Sequence, residues 1–214
     1  MVRGPVSKVD DNPGGEPSPE ERIVAAALTC MERDGIEATG IRAIAREAGV
    51  NSAAINYYFR SKDNLIAIAL ERSLENAFGE VISDLDRLRA GGMDLRQALT
   101  RVIDDYALHV RDFPRLAYAH LREALVNQRY DGRAVVRLNQ FLGELLARLM
   151  PDASAERAAE VQLVLMQQWC TLVLLGMLPQ LFESFVRLDF VDDGRRARFV
   201  SVLLKPLFDV VERR

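Results

Sequence analysis

Residues 39–66 read TGIRAIAREAGVNSAAINYYFRSKDNLI, and the spacing of apolar and capping residues in this stretch indicates the fold. Isoleucine and alanine recur three and four residues apart before Gly49, as in a short amphipathic helix, which Thr39 could cap. Gly49 tolerates the left-handed backbone of a sharp turn. Asn51 and Ser61 then stand where they can cap two further helices. Two short helices joined by a glycine-containing turn predict a helix-turn-helix.

A longer helix is predicted immediately before this stretch. Ser18, Pro19 and Glu21 form the pattern of a capping box with proline at the first helical position. Gly35 is placed to end the helix, since glycine is the usual residue just past a helix C-terminus. The predicted inner faces of the first three helices comprise Ile23, Ala26, Ala27, Cys30, Ile41, Ile44, Ala45, Ala48, Val50, Ile55 and Phe59.

The remaining sequence predicts longer helices separated by glycine, proline and aspartate breaks, without sustained period-two strand patterns. The chain is therefore expected to be all-α, with an N-terminal helix-turn-helix domain and a C-terminal helical domain. The expected divisions are a flexible arm over 1–19, a DNA-binding domain over 20–72, and a dimerisation and ligand-binding domain over 73–214.

Composition restricts the classes of function. The 214 residues carry a net charge of −3, with 49% hydrophobic and 28% charged residues, as in a globular protein with a buried core. Cys30 and Cys170 are far apart, without metal-ligand spacing, so free thiols in a reducing cytoplasm are expected. No phosphate-binding loop, nucleophile elbow or convincing catalytic pair is present. The sequence therefore predicts no enzyme, no cofactor and no metal.

Local charge differs from the overall charge. Between residues 39 and 62 the cations are Arg42, Arg46, Arg60 and Lys62, against the single acid Glu47, which gives a local charge of +3. Cations beside tyrosine, asparagine and serine side chains are suited to binding phosphates and base edges. By charge alone, a solvated face of an ordinary helical hairpin is the favoured explanation of the cluster.

Residues 39–66 also resemble the DNA-binding signature of the TetR family of transcriptional regulators. The shared elements, in order, are Ile44-Ala45, Ala48-Gly49-Val50, Tyr57-Tyr58-Phe59, and Ser61-Lys62 followed by Leu65. The resemblance covers roughly residues 20–72, and it implies a homodimer that represses transcription by binding double-stranded operator DNA. It further implies release from DNA by a small organic effector.

The resemblance also implies residue roles. By position, the residues expected to contact phosphates are Thr39, Arg42, Tyr57 and Lys62. Those expected to face the bases are Ser52, Ala53 and Asn56. Many family members have tyrosine at the position of Asn56 and glycine at that of Ala53, which makes the base contacts of this chain its own.

The resemblance implies dimerisation through the last two helices. The uncharged run over 161–182 fits the first of them. A second helix is expected after Gly194, with an apolar stripe of Phe199, Val202, Leu203, Leu207, Val210 and Val211. The same faces could instead be intrachain core, and the uncharged run is also long enough for a membrane anchor. Glutamine residues and Pro179 interrupt it, which favours a buried helix.

Aromatic, sulfur-containing and histidine residues supply a candidate effector pocket, although ordinary core packing is the alternative. The candidates are Phe78, Tyr106, His109, Phe113, Met166, Trp169 and Cys170, with Tyr118 and His120 as further possibilities and Gln167 and Gln168 as polar groups. His109 and His120 lack metal-ligand spacing across Pro114. The competing interpretation of the whole chain is a helical interaction protein without ligand control, attached to a membrane through residues 161–182.

Overall fold

The computed structural model describes residues 16–178, 180–182, 185–186 and 191–213. Helices make up 80% of it, and none of the described residues belongs to a strand, which confirms the all-α prediction. The helices are α1 (Pro19–Asp34), α2 (Ile41–Ala48), α3 (Ser52–Phe59), α4 (Lys62–Ala90), α5 (Leu95–Asp112), α6 (Pro114–Asn127), α7 (Arg133–Leu149), α8 (Ala155–Met177) and α9 (Asp193–Val211).

The chain divides into two compact units. The first comprises residues 1–77 and 115–134, and the second comprises residues 78–114 and 135–214. The long helix α4 therefore contributes to both units, and α6 packs with the N-terminal helices although it follows α5 in sequence. The division at residue 72 into functional domains stays a prediction, and most of the predicted arm over 1–19 lies outside the described residues.

In the first unit, α1 begins as its sequence predicts. The Ser18 side chain accepts a hydrogen bond from the Glu21 backbone, and the Glu21 carboxylate accepts one from the Ser18 backbone, which completes the capping box. Gly35 ends the helix with a positive φ of 85°. The predicted inner positions that are buried are Ile23, Ala26, Ala27, Cys30, Ile44, Ala45, Ala48, Ile55 and Phe59.

Two local predictions in this unit were wrong. The N-cap of α2 is Gly40, which offers no side-chain hydrogen bond, and not Thr39. Ile41 and Val50 are only half-buried, because they lie at the ends of the short helix and its turn, where the neighbouring helices cover them incompletely.

The second unit is built by contacts that are distant in sequence. Helix α8 packs on α5 and α9, and α5 also packs on α9. The Gln168 side chain in α8 donates to the Leu203 carbonyl in α9 at 2.8 Å. Arg196 in α9 is buried and donates to the Asp104 carboxylate in α5 at 3.0 Å. Polar contacts thus fix the alignment of helices whose apolar faces form the core.

The last helix starts earlier than predicted and has a different buried face. Asp192 caps α9 by accepting from the Arg195 backbone at 2.8 Å, so Gly194 lies inside the helix. Of the predicted interface stripe, Leu207 and Val210 are buried within the chain, whereas Val202 is 67% exposed. The apolar face of α9 therefore serves mainly the intrachain core of the second unit.

Candidate DNA-binding interface and ligand pocket

The turn between α2 and α3 is set by its own residues. Gly49 adopts the left-handed conformation, with φ 67° and ψ 33°, and the Val50 backbone donates to the Ala45 carbonyl at 2.9 Å. The Asn51 side chain then accepts from the Ala54 backbone at 2.9 Å and caps α3. The turn and the cap together determine the direction in which α3 leaves α2.

The turn after α3 is also held by side chains. Arg60 has a positive φ of 66°, which is uncommon for a residue other than glycine. The Asn64 amide donates to the Phe59 carbonyl at 2.9 Å, and the Ser61 hydroxyl accepts from the Asn64 backbone at 3.1 Å. These bonds satisfy groups at the end of α3 and at the start of α4, as predicted for Ser61.

The outer surface of α3 is polar and accessible. Ala53, Asn56 and Tyr57 are exposed, while Ser52 is half-buried at the start of the helix. Tyr57 has 72% of its surface exposed, although its ring meets Tyr58 edge-on at 5.2 Å. An exposed tyrosine on a short helix whose opposite side is core is available for contact with a partner.

The cations around α3 form no close ion pair with a described carboxylate, although Arg46 is near enough to help lower the pKa of Asp34. These cations are Arg42, Arg46, Arg60 and Lys62. Glu47, the acid in this stretch, is instead paired with Arg33 at 2.9 Å. The surface next to α3 therefore keeps its positive charge, in a chain whose net charge is negative.

Thr39 does not fit the role of a phosphate contact, which corrects that assignment. It is fully buried, and its hydroxyl donates to the Gly35 carbonyl at 2.8 Å. The side chain is committed to the loop between α1 and α2, because a buried hydroxyl must find its partner within the protein. Of the other cations predicted to contact phosphates, Arg42 is exposed and Lys62 is half-buried.

A cluster of aromatic rings occupies the second unit. Phe78 and Phe141 stack with their centroids 4.4 Å apart, and Trp169 lies 4.7 Å from Phe141 and 5.2 Å from Tyr106. His109 extends this ring cluster from Tyr106, at 6.5 Å, to Phe113, at 4.9 Å. Five predicted pocket residues thus form one connected set. Phe141 was missed, because a single phenylalanine on α7 has no distinguishing pattern in sequence.

One polar group of the ring cluster is buried without a partner. The indole nitrogen of Trp169 is buried without a hydrogen-bond partner. Burial also raises the pKa of the Tyr106 hydroxyl above its usual range, so that this group stays protonated at neutral pH. The ring cluster therefore offers aromatic faces together with a free N–H donor. A separate cleft of about 10 Å³ between α5 and α8 is lined by Ala107, Val110, Arg111, Leu172, Leu175 and Gly176.

Other predicted pocket residues lie elsewhere. Met166 is 49% exposed and Cys170 is exposed, so neither shares the buried position of Trp169 in α8. Gln167 is also exposed, and Gln168 is engaged with the Leu203 backbone. These residues therefore do not join the ring cluster, because only one stripe of α8 faces the core.

The two remaining candidates, Tyr118 and His120, belong to the first unit. Tyr118 is exposed, whereas burial lowers the pKa of His120 to about 4. Among the described residues there is no group of three or more His, Cys, Asp or Glu side chains that could hold a metal ion.

Known regulatory proteins are similar to this chain in sequence over the helix-turn-helix region. The family model for bacterial regulatory proteins of the tetR family matches residues 23–68, which contain α2, α3 and the turns described above. Residues 23–68 are therefore similar to the DNA-binding segment of tetR-family regulators. The nicotine-responsive transcriptional repressor HdnoR of Paenarthrobacter nicotinovorans is 31% identical over 84 residues, which are 39% of this chain and 41% of that relative. The chain thus matches about two-fifths of this relative's length.

Two solved structures share the fold over a longer span. The multidrug binding protein EbrR, complexed with malachite green, has a TM-score of 0.57 and 22% identity, covering 87% of this chain and 98% of its own. A protein assigned to the TetR family from Mesorhizobium loti MAFF303099 has a TM-score of 0.62 and 14% identity, covering 87% and 95%. The fold shared with these structures therefore extends beyond the helix-turn-helix into the C-terminal helices.

Proposed function

We propose that this protein is a cytoplasmic, homodimeric transcriptional repressor of the TetR family that binds double-stranded operator DNA and is released by a small organic effector. It would act by binding alone, without catalysis. The observation that carries the proposal is the group of unpaired cations, Arg42, Arg46, Arg60 and Lys62, around the exposed face of α3. A short helix with such flanks can enter a major groove while the cations bind the phosphates on either side.

In vitro selection from a random duplex library tests DNA binding directly. Lys62→Ala should weaken binding to every sequence and lower the slope of log affinity against log salt by about one, because one phosphate contact is lost. Asn56→Ala should instead change the selected sequence at one position. If a bidentate base contact is lost, discrimination between bases at that position should fall by roughly 1–3 kcal/mol. Lys205→Ala, at a lysine paired with Asp209 in α9, is the control and should change neither quantity. An unchanged salt slope in folded Lys62→Ala protein would contradict the assignment.

Support for a homodimer comes from the outer side of α8. This surface carries one uncharged stripe at helical spacing, and its members are Ala159, Leu163, Met166, Cys170 and Leu174. Leu163 is 60% exposed, and an apolar stripe of this kind on a helix already packed on its other side is suited to a two-fold interface. Two recognition helices would then be expected about 34–36 Å apart, one turn of B-DNA.

Light scattering tests the dimer. Leu163→Glu together with Met166→Glu should give a monomer, because four carboxylates cannot be buried unpaired across a two-fold axis. Val202→Glu should contribute in the same direction if the exposed edge of α9 joins the interface. A stable monomer for the unmodified chain at micromolar concentration would contradict this part of the proposal.

The ring cluster supports an effector site. Phe78, Tyr106, His109, Phe113 and Trp169 supply aromatic surface, and the free indole N–H of Trp169 could donate to an acceptor on a ligand. The expected effector is flat and aromatic, with one hydrogen-bond acceptor. Trp169 is the single tryptophan of the chain, so its fluorescence would report binding.

A thermal-shift and fluorescence screen of aromatic compounds, with and without the selected operator, tests the effector. A true effector should stabilise the free protein and weaken operator binding roughly 5–150-fold, which corresponds to a coupling of about 1–3 kcal/mol. Compounds that quench Trp169 without changing operator affinity would count against ligand control. Absence of any hit would leave the DNA-binding part of the proposal standing by itself.

Helix α8 bears on localisation. This 23-residue helix contains an 18-residue window with a mean hydropathy of 1.3, enough by length and composition to cross a membrane, and 33% of that window is buried. Leu165, Trp169 and Leu172 are buried, which is typical of a core helix with one outer stripe. Fractionation should place the protein in the supernatant, whereas recovery in the membrane pellet after a salt wash would contradict a cytoplasmic location.

A further inference from the structure

We infer that Glu32 and Arg33, near the C-terminus of α1, are positioning residues for DNA binding because they join α6 to the helix-turn-helix. The inference rests on the proposed function for its DNA readout. It adds a structural element, α6, to the part of the protein that presents α3. The residues that make these contacts, in segments 32–47 and 115–122, belong to the first compact unit.

Glu32 caps α6. Its carboxylate accepts the Leu116 backbone N–H at 2.9 Å and the Arg115 N–H at 3.4 Å. Pro114, the first residue of α6, has no N–H, so these are the first donors that the helix presents. A carboxylate at a helix N-terminus is further favoured by the helix dipole. A side chain from α1 thus satisfies the start of a helix more than eighty residues away in sequence.

Two further contacts hold α6 against the end of α1. The Arg115 guanidinium donates to the Arg33 carbonyl, and Arg122, two turns further along α6, pairs with Glu37 at 2.5 Å. Because Glu32 and Arg33 in α1 and Glu37 in the loop after it are all engaged, α6 cannot shift along α1 without breaking several bonds at once.

Arg33 continues the connection to α2. Its guanidinium pairs with Glu47 in α2 at 2.9 Å and with the neighbouring Asp34 at 2.8 Å. Glu47 stands two residues before Gly49, the turn that sets the direction of α3. One series of contacts therefore runs from the start of α6 through Glu32 and Arg33 to the helix before α3.

The chemistry of Glu32 favours positioning over stability. Burial raises the pKa of its carboxyl, so keeping the charged form there is costly, and the two backbone donors offset that cost only in part. A carboxylate in this setting adds little net stability but accepts hydrogen bonds in one arrangement only.

Two variants at Glu32 and one control test the inference. Glu32→Ala removes both carboxylate oxygens that accept from α6, and Glu32→Gln keeps one neutral acceptor. Glu71→Ala is the control, because it removes a carboxylate paired with Arg133 in the same unit but away from the contacts between α1 and α6. Amide exchange at residues 115 and 116 is measured in the free, full-length proteins. Binding is measured to the duplex selected by the unmodified protein and to a scrambled duplex. Stoichiometric titration with the selected duplex first determines which fraction of each protein preparation can bind DNA.

For Glu32→Ala we expect roughly tenfold faster exchange at 115 and 116 and at least a fivefold fall in the ratio of operator affinity to scrambled-duplex affinity. Glu32→Gln should recover most of both quantities, and Glu71→Ala should change neither. A merely unstable variant would lose active fraction but keep the ratio. An unchanged ratio despite faster exchange would overturn the inference and leave the proposed function intact. Failure of the unmodified protein to select any sequence would overturn both.

Discussion

The helix-turn-helix and the C-terminal unit are built in different ways. In the first, short helices are delimited by residues next to them in sequence, such as Ser18, Gly49 and Asn51, and each makes the local bond expected of it. In the second, long helices are aligned by partners far away, such as Arg196 with Asp104, 92 residues apart. Local chemistry defines where the first unit turns, and tertiary packing defines how the second unit fits together.

The largest effect should come from breaking a distant contact in the second unit. Arg196→Ala should lower the free energy of unfolding by roughly 3 kcal/mol, because the mostly buried Asp104 carboxylate loses its charged partner. Arg101→Ala removes an exposed pair with Asp105 on the same helix, α5, and should cost less than about 0.5 kcal/mol. Urea denaturation of both variants measures the difference, and equal losses would remove the contrast between buried and exposed pairs.

The same contrast explains which parts were predictable from sequence. Caps, the glycine turn and the buried positions of α1–α3 follow from spacings within ten residues, and they were confirmed except at Thr39, Ile41 and Val50. Thr39 could have capped α2 as well as it bonds to Gly35, and nothing local decides between two acceptable bonds for one hydroxyl.

Sequence was less informative about the C-terminal unit. It identified aromatic residues of the ring cluster by type, but not Phe141, nor the exposure of Met166 and Cys170, because the orientation of a uniformly apolar helix is set only by its neighbours. The contacts of Glu32 with the start of α6 were also missed, because a glutamate near a helix end is usually solvated and its partner here is more than eighty residues away in sequence.

A second prediction concerns α6, which is the part of the first unit assembled by long-range contacts. His120 is half-buried, its Nδ1 is shielded from solvent without a partner, and burial lowers its pKa from 6.5 to about 4. Between those values the unfolded chain binds a proton that the folded chain does not, so stability falls as pH falls through this window. The loss is about 1.4 kcal/mol per pH unit and reaches up to about 3 kcal/mol near pH 4.

Urea denaturation of the unmodified protein and His120→Leu, across pH 4 to 7, isolates this contribution. As the pH is lowered, the free energy of unfolding should fall more for the unmodified protein than for His120→Leu. The reason is that leucine takes up no proton on unfolding, whereas His120 does. Parallel stability curves would mean that His120 is solvated, and that α6 is held less firmly than its contacts indicate.

A third prediction compares two glycines inside helices of the second unit. A Cβ at Gly176 in α8 would lie 1.8 Å from a methyl group of Val110 in α5, whereas Gly143 in α7 has open space at this position. Gly176→Ala should destabilise by about 1–3 kcal/mol through overpacking, and Gly143→Ala should stabilise by about 0.5–1 kcal/mol through helix propensity.

Thermal melting with Val110→Ala in the Gly176→Ala background tests the cause. The double variant should regain part of the loss, because the clashing methyl group is removed. Equal and additive losses for the two substitutions would show that α5 and α8 do not approach as closely as described.

The smallest effects compare one helix cap from each unit. Asn51 caps the eight-residue α3 through a 2.9 Å bond, and Ser154 caps the 23-residue α8 through a 3.4 Å bond. A short helix depends more on its ends, because few turns share the cost of ordering it. Asn51→Ala should therefore cost about 1 kcal/mol, and Ser154→Ala no more than about 0.5 kcal/mol. Asn51→Ser, which restores an acceptor, should recover most of the loss.

Operator affinity separates the two sites further, since fraying of α3 acts on the DNA-facing surface itself. We expect weaker operator binding for Asn51→Ala and none of that weakening for Ser154→Ala, measured at equal active fraction. If both caps cost the same and neither changes operator affinity, local capping does not hold α3 in place, and packing by Ile55 and Phe59 would have to hold it there as packing holds α8.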